Sequence, residues 1–220
     1  MALTKFNFNS FDVTSAASAG LGFNASANGF STINPGAMTL IKTLTASSSS
    51  TLSFVDGSSD VVLDNTYPIY KFQFINMHPA TNDTQFSFQG STNTGSSYGV
   101  NITSTAWYAT ESEAGGNTAL SYYAGLDLVQ STNFQPITED IGNDNDQSAS
   151  GSMYLFNPSS TTFVKHFMTD FQHTQRTDYS YHFFTAGYLN TTSTIDAIQF
   201  KMLSGNTDAG TIKLYGIKDS

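Results

Sequence analysis

Apolar and polar residues alternate in short runs along most of this chain, and the last of these runs is the most regular. Ile198, Phe200 and Met202 alternate with Gln199 and Lys201, and beyond a Gly-, Asn- and Asp-rich stretch from Ser204 to Gly210, Ile212 and Leu214 flank Lys213. A period of two residues is that of a half-buried strand, so Ile198 to Ile217 reads as a hairpin that closes a β-sheet. The chain stops three residues later, and the last strand is expected to lie inside a sheet rather than to trail as a tail.

The same period recurs upstream. Phe6 and Phe8 alternate with Lys5, Asn7 and Asn9 as a short first strand, and Met38 to Leu44, Leu52 to Val55, Val100 and Ile102 toward Trp107, and Tyr179 to Leu189 read as further strands. Tyr70, Phe72 and Phe74 share a face, and Phe86 and Phe88 resume the ladder after a break at Asn76 to Asp83, which predicts a second hairpin. Met153 to Phe156 and Phe163 to Met168, joined at Asn157-Pro158-Ser159-Ser160, predict a third. The two Asn- and Pro-containing breaks rhyme, which fits equivalent hairpins in two sheets or convergent turn chemistry. No window holds a 3.6-residue apolar period, and the Gly, Thr and Asn load disfavours helices.

Many short strands without intervening helices predict an all-β fold: an antiparallel, jelly-roll-like β-sandwich in a single large domain. Residues 37–220 are assigned to it, with Phe72, Phe74, Phe86, Phe88, Phe200 and Leu214 in its core. Residues 1–36 form a separate N-terminal strand and arm. The arm's Ala-, Ser-, Gly- and Asn-rich part, Thr14 to Gly36, is long for a loop in a compact domain. It is expected either to contact a partner or to hold a weak strand.

Composition narrows the functional classes. Of 220 residues only 11% are charged while 14% are aromatic (18 Phe, 11 Tyr, one Trp), whereas about a quarter of residues in an average soluble domain are charged. This balance leans toward secreted or virion β-proteins. A net charge of -9 with Arg176 as the only arginine leaves little to neutralise phosphates, so no nucleic-acid partner is expected. Without cysteine there is no disulfide, thiolate metal site or cysteine nucleophile. The first ten residues lack the continuous apolar core of a signal peptide, and no run approaches a membrane span. Synthesis in the cytoplasm without a secretion signal, and no membrane partner, are the expectations.

Candidate chemistry is sparse. Gly95-Ser96-Ser97-Tyr98-Gly99 has the G-x-S-x-G spacing of a serine hydrolase, but that elbow requires a helix after the serine and here a strand follows. A hairpin turn of small residues is the better reading. Glu139, Asp140, Asp144 and Asp146, with Asn143 and Asn145 between them, offer oxygen ligands to calcium, but the cluster lacks the glycine and terminal glutamate of an EF-hand. Residues 139–147 are therefore read as a solvated loop, with calcium binding left open. His78, His166, His173 and His182 show no metal spacing, and His166, within an apolar pattern, is read as a hydrogen-bonded structural histidine. A carboxylate pair stays open as a catalytic device, with Glu111, Glu113, Glu139 and Asp140 as its candidates. In open loops these acids are expected to be ionised and unable to donate a proton near neutrality. No metal or cofactor is assigned, and the chain is not expected to be an enzyme.

The aromatic pairs Trp107-Tyr108 and Tyr122-Tyr123 flank the acidic, Gly-rich loop from Glu111 to Asn117. Adjacent residues on a strand point to opposite faces, so one ring of each pair should face outward, to be covered by a neighbouring subunit or to stack on a glycan.

The segments Tyr70 to Thr81, Leu155 to Thr161, Phe163 to Phe167 and Gly210 to Ile217 resemble those of β-rich proteins of marine tailed bacteriophages, generally taken as virion structural or tail-fibre-like proteins. These are strand and turn signatures with no catalytic residue among them, so the resemblance implies a virion role and transfers no active site. It implies a non-catalytic oligomeric β scaffold of the tail, fibre or capsid surface, bound to other virion proteins and trimeric by analogy with phage fibres and spikes. The alternative is a tip protein that binds a receptor or glycan on the host surface. A polysaccharide-degrading enzyme is the remaining class.

Overall fold

The computed structural model describes residues 20–23, 30–33 and 36–218. The strand expected at Phe6 and Phe8 lies outside them. The chain divides into two compact units, residues 1–39 and 40–220. In the first, β1 (Gly20–Phe23) and β2 (Phe30–Ile33) pair antiparallel, Gly20 opposite Ile33 and Phe23 opposite Phe30. The Thr14 to Gly36 stretch thus holds a short hairpin.

The second unit is an all-β sandwich of two antiparallel sheets, and no helix occurs among the described residues. Its strands are β3 (Met38–Thr45), β4 (Leu52–Val55), β5 (Ile69–Pro79), β6 (Phe86–Ser91), β7 (Ile102–Ser112), β8 (Thr118–Tyr122), β9 (Gln135–Pro136), β10 (Ala149–Phe156), β11 (Lys165–Gln175), β12 (Tyr179–Leu189), β13 (Ala197–Met202) and β14 (Thr207–Ile217). The larger sheet runs β3-β14-β5-β10-β11-β12-β7-β8 and the smaller β4-β13-β6-β9. Setting aside two insertions, the strands follow the interleaved order of a jelly roll: β3, β14, β5 and β10 form one sheet and β4, β13, β6 and β9 the other, and every connection crosses between sheets except that from β6 to its neighbour β9. The insertions, β7–β8 and the hairpin strands β11–β12, both join the larger sheet and extend it by four strands into a wing.

The strand at Ile198 to Met202 and the strand ending at Ile217 are therefore not a hairpin. β13 pairs with β4 and β6, whereas β14 pairs with β5 in the other sheet. The expected turn also shortens, because Thr207 to Gly210 are already strand. Tyr70 to Phe74 and Phe86 to Phe88 likewise belong to opposite sheets, β5 and β6, so of the three expected hairpins β10–β11 alone is one. The rhyme between the two Asn- and Pro-containing breaks is thus shared turn chemistry without structural equivalence. Asn76 and Asn157 both take positive φ, 49° and 44°, a conformation that asparagine tolerates better than most residues.

Crossing between sheets lets both layers aim phenylalanines at one volume. Phe72, Phe74, Phe86, Phe88, Phe200 and Leu214 are all fully buried. Phe200, on β13, is the centre: its ring lies 5.0 Å from Phe74, 5.2 Å from Phe72 and 5.9 Å from Phe86. The approaches to Phe72 and Phe74 are edge-on, the geometry that aromatic quadrupoles favour. Truncating either Phe74 or Phe200 to alanine should cost about 3–5 kcal/mol through cavity formation. The rings touch, so the double variant should lose less than the sum of the two. Urea unfolding of the four proteins checks this, and a loss below ~1 kcal/mol for either single variant would contradict the assigned core.

Candidate functional site

Strand alternation divides the wing into two faces of different character. On the outer face, β7 carries Thr103, Thr105, Trp107 and Ala109, β12 carries His182, Phe184, Ala186 and Tyr188, and β11 carries His166, Met168 and Asp170, all at least partly solvent-exposed. Register places Trp107 directly between Phe184 on β12 and Tyr122 on β8. The Trp107 and Phe184 rings stack face to face, 4.0 Å between centroids and 13° between planes. Rings rooted on neighbouring strands ~5 Å apart can stack in this way only if they stand upright on the sheet. His182 packs on Phe184 at 4.1 Å, and its Nε2 lies 2.7 Å from Asp170 Oδ1.

The inner face of the wing lies beyond the smaller sheet and is closed by the segment that follows β8. Tyr123 N donates to Ala106 O, Ser104 N to Leu128 O and Ile102 N to Ser131 O, so this segment first follows the free edge of β7. It then supplies β9 and runs beside β6, where Ile137 N donates to Phe86 O and Ile141 N to Thr84 O. Gln135, Ile137, Glu139 and Ile141 are buried as a result. Ser104 Oγ, on the inner face of β7, donates to Gln135 Oε1 at 2.6 Å and ties the segment to the wing.

The four aromatic candidates separate accordingly. Trp107 and Tyr122 face outward, 42% and 53% exposed. Tyr108 and Tyr123 are half-buried on the inner side, their rings 5.5 Å apart, with Tyr108 also 5.3 Å from Tyr181.

Glu139 does not stand in an open loop, and its carboxyl does not behave as an exposed one. It is buried beneath the covering segment, with Tyr123 Oη donating to its Oε1 at 3.5 Å and its Oε2 without a partner. Burial, and then the neighbouring charge of Asp140, push it from the usual 4.5 up to about 7. Asp140 is raised by burial and by Asp83, against the pull of Gln85 and of Arg176. Arg176 Nε lies 2.9 Å from Asp83 and 3.9 Å from Asp140, and so binds the pair from outside. Burial also raises Tyr181 to about 12, with Glu139 adding to the shift. The reading of 139–147 as solvated holds only for Asp144, Asn145 and Asp146; Gln147 is buried and donates to Asp178 at 3.0 Å. Glu111 and Glu113 are exposed, as expected.

The buried histidine of β11 is not the one expected. His166 is on the outer face and exposed, and His173 is the buried one, with neither ring nitrogen hydrogen-bonded. Burial lowers it to about 3, so the ring is neutral. Period-two counting along β11 from Phe167 and Phe171 puts His173 on the inner face, so the signal was present in the sequence. Among the described residues no three His, Asp or Glu side chains gather as a metal site. Ser97 lies in a loop, where its N–H donates to Asn93 Oδ1 and its Oγ accepts from Asn93 Nδ2, and the chain continues into β7 rather than a helix. Comparison with protein-family models, with curated proteins and with solved structures returned no match.

Glu139 and His173 make opposite contributions to stability against pH. The raised carboxyl holds its proton in the folded state, so its contribution is present below 4.5 and is lost as pH climbs through about 7, on the order of 2–3 kcal/mol. The depressed imidazole is neutral when folded but takes a proton in the unfolded chain below 6.5, so its contribution is lost as pH falls from 6.5 toward 3. Between 4.5 and 6.5 the two slopes oppose. In the Glu139→Gln variant stability should therefore rise with pH over this window, and in His173→Gln it should fall. Thermal melts across the window read the sign, and parallel profiles in the two variants would contradict the burial of either group.

Proposed function

We propose that this chain is a non-catalytic structural protein of a bacteriophage particle, a jelly-roll scaffold that works as a homo-oligomer attached to other virion proteins at the tail, fibre or capsid surface. The observation that carries this reading is the wing. Two insertions into the jelly roll lengthen one sheet, and the face so added exposes Trp107, Tyr122, Leu120 and Met168 on a chain that has few charged residues to keep it apart from neighbours. Contiguous exposed apolar surface of this kind marks protein contact sites. The resemblance of the strand and turn segments to marine phage virion proteins supports the same reading, and jelly rolls are a common architecture of viral coats.

The second reading, a host receptor or glycan binder, draws on the exposed rings of Trp107 and Tyr122. A sugar stacks on the face of an aromatic ring, however, and Phe184 already covers one face of Trp107 while the upright stack turns ring edges outward. This geometry favours a protein neighbour. A buried, partly protonated Glu139 suits acid catalysis by pKa alone, but its Oε2 is closed off from solvent, where no substrate reaches it.

Mass spectrometry of density-purified particles should find the chain at a stoichiometry of many copies per particle. Its absence from them would overturn the structural role. The purified protein should neither hydrolyse host polysaccharide or peptide nor bind glycans; hydrolysis abolished by Glu139→Gln would replace this reading with an enzymatic one, and glycan binding abolished by Trp107→Ala would replace it with the receptor reading.

A further inference from the structure

We propose that the outer face of the wing binds a second copy of this chain in an isologous, two-fold contact. The inference rests on the oligomeric scaffold proposed above and assigns the surface that would build it.

The face has two adjacent features of opposite shape. One is a ridge that crosses three strands, Tyr122 on β8, Trp107 on β7 and Phe184 on β12, aligned by register. The other is a groove of about 480 Å³ whose lining includes Thr105 and Ala186 with Phe156, His166, Met168 and Tyr188. Register places Thr105, Ala186 and Met168 in the row two residues along from Trp107, Phe184 and Asp170, a spacing of about 6.6 Å. Ridge and groove therefore run side by side across the sheet. A two-fold axis lying in the contact plane between them sets the ridge of each copy over the groove of the other. The same contact then forms twice, which is the self-complementarity that a two-fold dimer requires.

Charge and area agree with a copy of this chain as the occupant. The molecule carries a net charge of -9, so like copies repel over most of their surface. At this face Asp170 lies against His182, Asp127 accepts from Tyr122 Oη at the end of the ridge and Glu111 stands at the rim, so two of the three carboxylates have a partner within the chain. Strands of 11 residues on β11, β12 and β7, with β10 and β8 beside them, span roughly 20–24 Å by 33–36 Å, on the order of 700–850 Å² per copy. A stable interface of standard size buries about 800 Å² on each partner.

Sedimentation and light scattering of the full chain from 1 to 100 µM should show a dimer of about 47 kDa, twice the 23.7 kDa chain. Phe184→Ser, which breaks the ridge, and Ala186→Trp, which fills the groove, should each weaken the dimer at least tenfold. Circular dichroism and thermal melts check that both stay folded. Leu40→Glu, exposed on β3 at the opposite edge of the larger sheet from β8, should leave the dimer unchanged. Mixing the ridge variant with the groove variant should restore a heterodimer, because that pair keeps one intact ridge-in-groove contact, and this recovery is specific to the two-fold geometry. A monomer throughout the concentration range, a dimer or trimer insensitive to both variants, or mixing without recovery would each overturn the proposal. Presence of the chain in purified particles is a separate measurement, so the virion reading can stand where this interface fails.

Discussion

The packing of phenylalanine rings around Phe200 is the interaction on which the rest of this molecule depends. Phe200 belongs to the smaller sheet, Phe72 and Phe74 to the larger, and Phe86 and Phe88 to the strand beside Phe200. Burying all of them in one volume divides β5 from β6 and β13 from β14 between the two layers, as the jelly-roll order requires. A simple meander would leave β5 and β6 in one sheet, with the same rings spread along one face and no second layer to cover them.

That solution leaves a surplus. The smaller sheet has four strands and the larger eight, so the core closes over half of the larger sheet and the wing must be covered by other means. On its inner side the covering is the segment from Tyr123 to Gln147, which gives up much of its contact with water to do so. Glu139, Gln135 and Gln147 are buried with it, and their polar atoms are met by Tyr123, Ser104 and Asp178. Glu139 and His173 are the two titrating groups among the described residues that keep buried atoms without a hydrogen-bond partner. Each avoids the larger cost of a buried charge by shifting toward its neutral form. On the outer side nothing within the sandwich unit covers the wing, and its aromatic residues stand in solvent. The same architectural surplus thus accounts for both a pair of perturbed titrating groups and an exposed apolar face.

Asp83, Asp140 and Arg176 form a partly exposed ionic cluster at the point where the covering segment meets the end of β11. Surface pairs of this kind contribute little individually, but here the arginine also offsets the repulsion among the carboxyls around Glu139. The serine motif is a loop braced by Asn93.

Period-two alternation determined, from the sequence by itself, that the chain is all-β, where most of its strands lie, and which phenylalanines form the core, because burial of one face imprints that period directly on the residues. The same alternation separated Trp107 from Tyr108. It could not say which strands pair, since a short turn looks alike whether it closes a hairpin or crosses between layers: Ser204 to Asn206 and Asn157 to Ser160 have similar composition and opposite outcomes. Nor could it locate the burial of Glu139, which sits in a polar stretch with acidic neighbours and is enclosed only because β6, β7 and β11 converge there from distant parts of the chain. Tertiary structure alone decided these matters, and for one reason: burial of a polar group depends on what the fold places over it, and that is set by contacts between segments far apart in sequence.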